Sequence, residues 1–273
     1  MKKLILPIFI GIITTLLFSC DKIDTPLAEK VIVDNDTNTV VKRRVLIEEF
    51  TGQLCTSCPD GAREIERLVD EYGNQIIPIS IHSGAFADPG NGAPNDFTTP
   101  TGNIFNTTFG VSKWPAGMVS RVNNGEVFGR SDWEAKYTAI KDDVPYADIT
   151  ITNTYDSGTK NLDIQVDTEW LIDGENGVNY KLQVHIIEDH ITAYQLDNGT
   201  SISDYDHRHV FRGAVNTSWG TSIPITTKET TDTQNFNYTI DAAWAEDNCE
   251  VVAFIYKEGP NYEVIQANIA HVK

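Results

Sequence analysis

The sequence predicts an α/β unit followed by an all-β unit, the second a Greek-key (Ig-like) sandwich. Three observations predict it. Arg44–Ala62 reads as strand, short loop and helix start, and the apolar run Ile76–Ile81 follows as a second strand, giving a parallel strand–helix–strand unit. From about Val144 short segments of period-two alternation are separated by Asn, Gly and Asp turns. A length of 273 residues suits two domains of ordinary size, and 40% apolar content with 10% aromatics supports packed cores. The expected divisions are 1–19 as a signal peptide, 20–41 as a processed N-terminus and tether, 42–143 as the α/β domain and 144–273 as the sandwich.

The N-terminus reads as a targeting segment. Met1-Lys2-Lys3 is basic, and Leu4–Phe18 is uncharged, apolar and short for a membrane span. It ends in Leu17-Phe18-Ser19-Cys20, which resembles a bacterial lipoprotein signal. That resemblance implies lipidation of Cys20, with several acyl chains giving a stable membrane anchor. The alternative is an ordinary secretory signal in which Cys20 is incidental. Residues 21–41 are rich in Asp, Thr, Asn and Lys, with no apolar periodicity beyond Val31-Ile32-Val33, and read as a tether.

In the α/β unit, Val45-Leu46-Ile47 leads through Glu48, Glu49 and Phe50 into a Thr51-Gly52-Gln53 loop, then Cys55-Thr56-Ser57-Cys58. Pro59 suits a first helical turn, where its missing N–H is harmless. Unpaired N–H groups at a helix start carry partial positive charge and favour a thiolate, so Cys55 reads as the nucleophilic sulfur and Cys58 as the resolving one. Ile65, Leu68, Val69 and Tyr72 recur at helical spacing, and Gly73 is a plausible C-cap. Ser83–Asn103 is Gly-, Pro-, Asn- and Asp-rich and leaves the strand end nearest the cysteines, so it reads as a lid or substrate-contacting surface, or else as a solvated insertion. A short helix is expected over 104–109, and a hairpin around Asn123-Asn124-Gly125 between 118–121 and 126–129. Ser131-Asp132-Trp133-Glu134 reads as a capping box opening the last helix, with Trp133, Tyr137 and Ile140 on one face.

In the second unit Leu162, Ile164 and Val166 alternate with polar residues, as do Tyr180, Leu182, Val184 and Ile186, and Phe236, Tyr238 and Ile240. Segments 148–155, 209–215, 249–257 and 263–272 complete about seven strands. Cys249 opens an apolar run and reads as a small buried hydrophobe.

The cysteine loop resembles a thioredoxin-fold active site. Glu49 lies where thioredoxins carry a buried acid beneath the second cysteine, and Trp114-Pro115-Ala116-Gly117-Met118-Val119 resembles the family's cis-proline and following strand. The resemblance implies that Glu49 relays a proton and that Pro115, in the cis form, lines the substrate path; strand alternation alone leaves open that Glu49 faces solvent and Glu48 points inward. Trp114 beside it is either a substrate platform or core. His82, just after the second strand, either approaches the cysteines and supports a thiolate or is a satisfied strand-end histidine. Leu54 in place of the usual Trp, and Thr56-Ser57 between the cysteines, depart from the pattern at positions that tune redox potential, leaving the direction of electron flow open. Tyr205–Arg212 and the earlier Glu188 and Tyr194-Gln195 resemble the Omp28-related outer membrane lipoproteins of Bacteroidetes. That family implies outer-membrane localisation and no settled activity.

A formal charge of −18 argues against nucleic-acid partners, which need clustered Lys and Arg. A metal at Cys55 and Cys58 would need further ligands at a recognisable spacing, and none occurs, so no cofactor is expected. His207 and His209, one residue apart with Asp204 and Asp206 nearby, read either as a weak metal site sharing a strand face or as half-buried polar residues. Three functional readings remain. One is thiol–disulfide exchange with protein thiols or an envelope redox partner. Another is a non-enzymatic surface binding or adhesin-like module in which Cys55–Cys58 is a fixed disulfide and the sandwich or the Ser83–Asn103 loop contacts the partner. A third is a metal- or glycan-binding sandwich acting through Asp206, His207 and His209.

Overall fold

The computed structural model describes residues 41–273. The expected signal segment, Cys20 and the tether as far as residue 40 lie outside the described residues.

Strands β1 (Val45–Thr51) and β2 (Ile76–His82) are parallel and in register from Val45 and Ile76 to Thr51 and His82. Helix α1 (Cys58–Tyr72) connects them. Helix α2 (Pro100–Thr108) and β3 (Ala116–Val119) follow, and β3 pairs antiparallel with the other edge of β1. Helix α3 (Arg130–Ile140) closes this half. Every residue of β1 and β2 is buried, because both faces are covered. On one face Val45 and Ile47 pack against Ile65 and Leu68 of α1 and Trp133 and Tyr137 of α3.

Three local expectations shift. Helix α2 starts earlier than expected, because Pro100 occupies its first turn and the Thr99 hydroxyl accepts from Gly102 N at 2.9 Å. Helix α3 is capped at Gly129 without a side-chain bond, so Ser131–Glu134 is no capping box. Glu134 instead binds Arg67 at 2.7 Å and Tyr72 at 2.8 Å on α1, tying the two helices together. The hairpin around residues 123–125 keeps only a bridge between Gly117 and Phe128.

In the second half β4 (Ala147–Asp156) and β5 (Asn161–Trp170) form a three-stranded sheet with β11 (Thr231–Thr239). Strands β6 (Tyr180–Glu188), β9 (Val210–Ala214), β12 (Cys249–Lys257) and β13 (Val264–His271) instead extend the first half's sheet, in the order β13-β12-β6-β9-β2-β1-β3. A short β10 (Thr221–Ile223) adds to β6. The junction is narrow: Ser80 on β2 pairs with Val210 on β9, and Ser80 N donates to His209 O at 2.8 Å. Thus the strands of 144–273 do not assemble a self-contained Greek-key (Ig-like) sandwich. The reason lies in β6 and β12, which need cover on both faces. Leu182, Val184, Ile186, Val251 and Ala253 face the small sheet, while Ile187, Val252 and Phe254 join Leu46, Phe50, Ile79 and Ile81 in a second core. The large sheet curls around that second core, and Val264 N at the start of β13 donates to Ser120 O just after β3 at 2.8 Å. Cys249 is a buried free thiol in the first of these cores, as expected.

Candidate disulfide site

The cysteine loop is held by close backbone approach. At Gly52 a Cβ would lie 2.5 Å from the Phe86 carbonyl carbon, so only glycine fits. Leu54 N donates to Phe86 O at 2.9 Å, and Asn95 N to the Gln53 side chain at 3.1 Å, which seats the 83–103 segment against the cysteines. Cys55 and Cys58 form a disulfide with a Cα–Cα distance of 5.3 Å. Cys58 is the first residue of α1 and Pro59 lies in its first turn, so the pair sits at a helix N-terminus. Ser57 Oγ lies 3.9 Å from Cys55 Sγ and donates to Trp114 O at 3.3 Å. Only 2% of Cys55 and 1% of Cys58 is exposed.

Glu48 and Glu49 point to opposite faces of β1, and both are buried. Glu48 pairs with the buried Arg121. Glu49 has no cationic side chain in hydrogen-bond contact. Its Oε2 accepts from Ser80 Oγ at 3.3 Å, and its Oε1 has no hydrogen-bond partner. Burial pushes the Glu49 carboxyl up to about 8, against smaller opposing effects of Ser80 and His209. A Cβ added at Gly61 would lie 2.3 Å from Glu49 Oε1 and 2.8 Å from Pro115 Cβ, so the acid, the proline and the first turn of α1 converge. The Trp114–Pro115 peptide is cis. A cavity of about 20 Å³, the size of one water, is lined by Glu49, Cys58, Ser80, His82, Tyr205 and His207 among others.

His82 lines that cavity, but burial, then His207 and Arg212, hold its ring well below the usual histidine range. It is therefore neutral and supplies no positive charge to a thiolate. Trp114 is half-buried, its ring edge-on to Phe86 at 5.6 Å. His207 and His209 do not share a strand face. His207 ends β8 (Thr200–His207), with its ring 5.4 Å from that of His82. His209 has φ 54°, which turns its ring toward Glu66 and Asp189, both at 3.1 Å. Asp206 pairs with His190 at 3.0 Å. Among the described residues no group of three or more His, Cys, Asp or Glu is placed to hold a metal ion.

Burial alone would lower the His209 ring, but hydrogen bonds and charge from Asp189 and Glu66 outweigh it and raise the ring to about 9. The triplet's contribution is therefore full below the unfolded value near 6.5 and lost as the pH rises through 9. His209→Gln is expected to destabilise the chain by about 1–3 kcal/mol at pH 7 and by little at pH 10, as read from urea unfolding at the two pH values.

A hairpin from the second half of the chain lies against the cysteine loop. Strand β7 (Ile191–Asp197) pairs with β8 alone, and the tip of this hairpin reaches the cysteine loop. Leu196 N donates to Gln53 O at 2.9 Å, Asn198 N to Thr56 O at 2.8 Å and Gly199 N to Thr56 Oγ1 at 2.7 Å. The Asn198-Gly199 dipeptide is a strong turn signal, but the runs beside it alternate too weakly to mark strands. Nothing in the sequence pairs Gln195 with Cys55 or Asn198 with Thr56, because those contacts span 140 residues or more.

A family model described as outer membrane protein Omp28 matches residues 102–273. The chain belongs to this family. As a member it is an outer membrane protein, and no helix among its described residues is long and apolar enough to cross a membrane. It is similar to HBP35 of Porphyromonas gingivalis at 19% identity and a TM-score of 0.68, covering 85% of this chain and 76% of that one. It is also similar to AGR_C_4864 from Agrobacterium tumefaciens at 12% identity and a TM-score of 0.55, covering 86% and 97%. At these identities the likeness is one of fold, a mixed α/β arrangement with many strands. A domain of the outer membrane lipoprotein Omp28 from Porphyromonas gingivalis aligns at 24% identity over 48% of this chain and 93% of that one, with a TM-score of 0.32. The search of curated proteins found no match to this chain.

Proposed function

We propose that this Omp28 family member exchanges disulfides with thiols of envelope proteins through Cys55 and Cys58. The exchange takes place on a thioredoxin-like core tethered to the outer membrane by lipid on Cys20. The observation that carries the exchange reading is Glu49, a buried acid with an unpartnered oxygen that shares a water-sized cavity with Cys58. A carboxyl raised to about 8 is protonated at neutral pH and poised to give or take one proton. A partner thiolate attacks Cys55 Sγ, the Cys55–Cys58 bond breaks, and Cys58 leaves as a thiolate that takes the Glu49 proton. A second partner thiol then attacks the partner's sulfur in the mixed disulfide and releases Cys55. Two thiols become one disulfide, and the cysteine pair gains two electrons and two protons. The reverse direction uses the same groups, with Glu49 as the base. Cys55 precedes a fifteen-residue helix whose N-terminus favours its thiolate. Trp114 and Pro115, across the first turn of α1, border the path a partner chain would take.

In the reduced protein near pH 7, Cys55 is expected to alkylate about tenfold faster than Cys58. Equal and slow labelling of both, followed by mass spectrometry, would overturn the proposal. The near-complete burial of both sulfurs favours one rival, a surface module stapled by a fixed disulfide. A reduction potential below about −300 mV would support that reading.

A further inference from the structure

We infer that the β7–β8 hairpin is a latch on the Cys55–Cys58 disulfide, and that exchange occurs only while the latch is lifted. This rests on the exchange reading above, and concerns how that site is regulated.

Among the described residues the hairpin's strands pair only with each other, and no strand of either larger sheet adds to them. A lone two-stranded hairpin is marginal in water, so its position depends on what it touches. Its base packs Ile191 and Ala193 against Phe97 and Val210, and its tip touches the cysteine loop. The tip donates to Gln53 and Thr56 on either side of Cys55, by the three bonds given above. The pairing shifts register between Ala193 and Gln195. A bulge of this kind re-aims a side chain, and here Gln195 turns inward and is 2% exposed. Its Nε2 donates to the carbonyls of Gly52 at 3.3 Å and Cys55 at 3.1 Å. Asp197 adds an ion pair with Arg63 of α1 at 3.0 Å.

One foot of the hairpin is suited to movement: His190 precedes β7 with φ 57°, while the other foot, His209, stays pinned to Glu66 and Asp189. Reversals at element ends are where a few dihedrals absorb a hinge motion. The bonds that hold the latch end on the carbonyls of Gly52, Gln53, Cys55 and Thr56, along the loop that carries the exchanging sulfur. An extended segment of a partner protein, which offers a row of backbone N–H groups, would take the latch's place on those acceptors as it presents its thiol. The latch thus keeps small thiols from a disulfide meant for a protein partner.

The test is the rate at which dithiothreitol reduces the oxidised full chain. Each dithiothreitol loses two electrons and closes to its cyclic disulfide, while Cys55 and Cys58 become thiols. A Gln195→Ala, Asp197→Ala double variant is expected to be reduced about tenfold faster than the parent, with unchanged circular dichroism. Equal rates would overturn the latch. Should the double variant fail to fold, Arg63→Ala removes the ion pair with Asp197 from an exposed site, along with a contact to Asp60 within α1, and about twofold acceleration is expected. An unchanged rate in that folded variant also overturns the latch. Both variants keep Cys55, Cys58 and Glu49, so the equilibrium potential of the pair tests the exchange reading separately. Accelerated reduction with a potential too low for exchange with protein thiols upholds the latch and removes the exchange reading. Unchanged rates with a potential in the exchange range remove the latch alone.

Discussion

Alanine in place of Glu48 is expected to destabilise the folded chain by about 3–5 kcal/mol, among the largest single-residue effects in the molecule. Arg121 is 0% exposed and sits inside the curl of the large sheet. Its Nε and Nη2 donate to the two oxygens of Glu48, each at 2.7 Å, and its Nη1 donates to Gln183 Oε1 at 3.1 Å. The guanidinium carbon lies 5.0–5.4 Å from the ring centres of Phe105, Phe109, Phe254 and Tyr256. Those rings supplement the carboxylate but do not replace it. Removing Glu48 leaves a buried cation with one neutral acceptor, whereas removing both charges leaves none. The double variant Glu48→Leu, Arg121→Met is therefore expected to recover most of the loss, because apolar side chains of similar reach suit this aromatic core. Urea unfolding of the two single variants and the double variant tests this. Additive losses would show that the pair is not coupled.

Glu49→Gln is expected to stabilise the oxidised protein and to slow exchange. The sign follows from the direction of the shift. Between about 4.5, the ordinary value, and about 8, the Glu49 carboxyl stays protonated in the folded chain and ionises in the unfolded one. Unfolding then releases a proton, so stability falls as the pH rises through that window and levels off above 8. Glutamine removes this cost. The variant is expected to match the parent at pH 4 and to exceed it by about 2–4 kcal/mol at pH 8, in urea unfolding followed across that range. Exchange with a dithiol is expected to fall by about 10²-fold near pH 7, since Cys58 leaves without a proton donor. A pH-independent difference in stability would mean that Glu49 is ionised in the folded state.

The local chemistry was legible because it is written in neighbouring residues. A strand running into Cys55–Cys58, with Pro59 beyond, needs only helix and turn chemistry to be read. The periodicity of residues 162–166 and 236–240 marked strands that form where expected. The extents of α2 and α3 were less legible, since Thr99 competes as a cap and Glu134 is drawn off to Arg67 and Tyr72. Alternation also misled in β6. Gln183 and His185 look like the solvent side of a strand, yet both are fully buried, because the sheet curls over them and Arg121 binds Gln183.

By itself, then, the chain's sequence determined the order of its elements, the paired sulfurs at a helix start and the acid one strand earlier, all set by contacts between near neighbours. Only the tertiary structure decided that the two halves share a sheet, that Glu48 and Glu49 face different partners, and that a distant hairpin closes over Cys55. Those outcomes depend on which surfaces remain apolar on both faces after local structure forms, and on hydrogen bonds between residues from 31 to 143 positions apart, which no periodicity encodes.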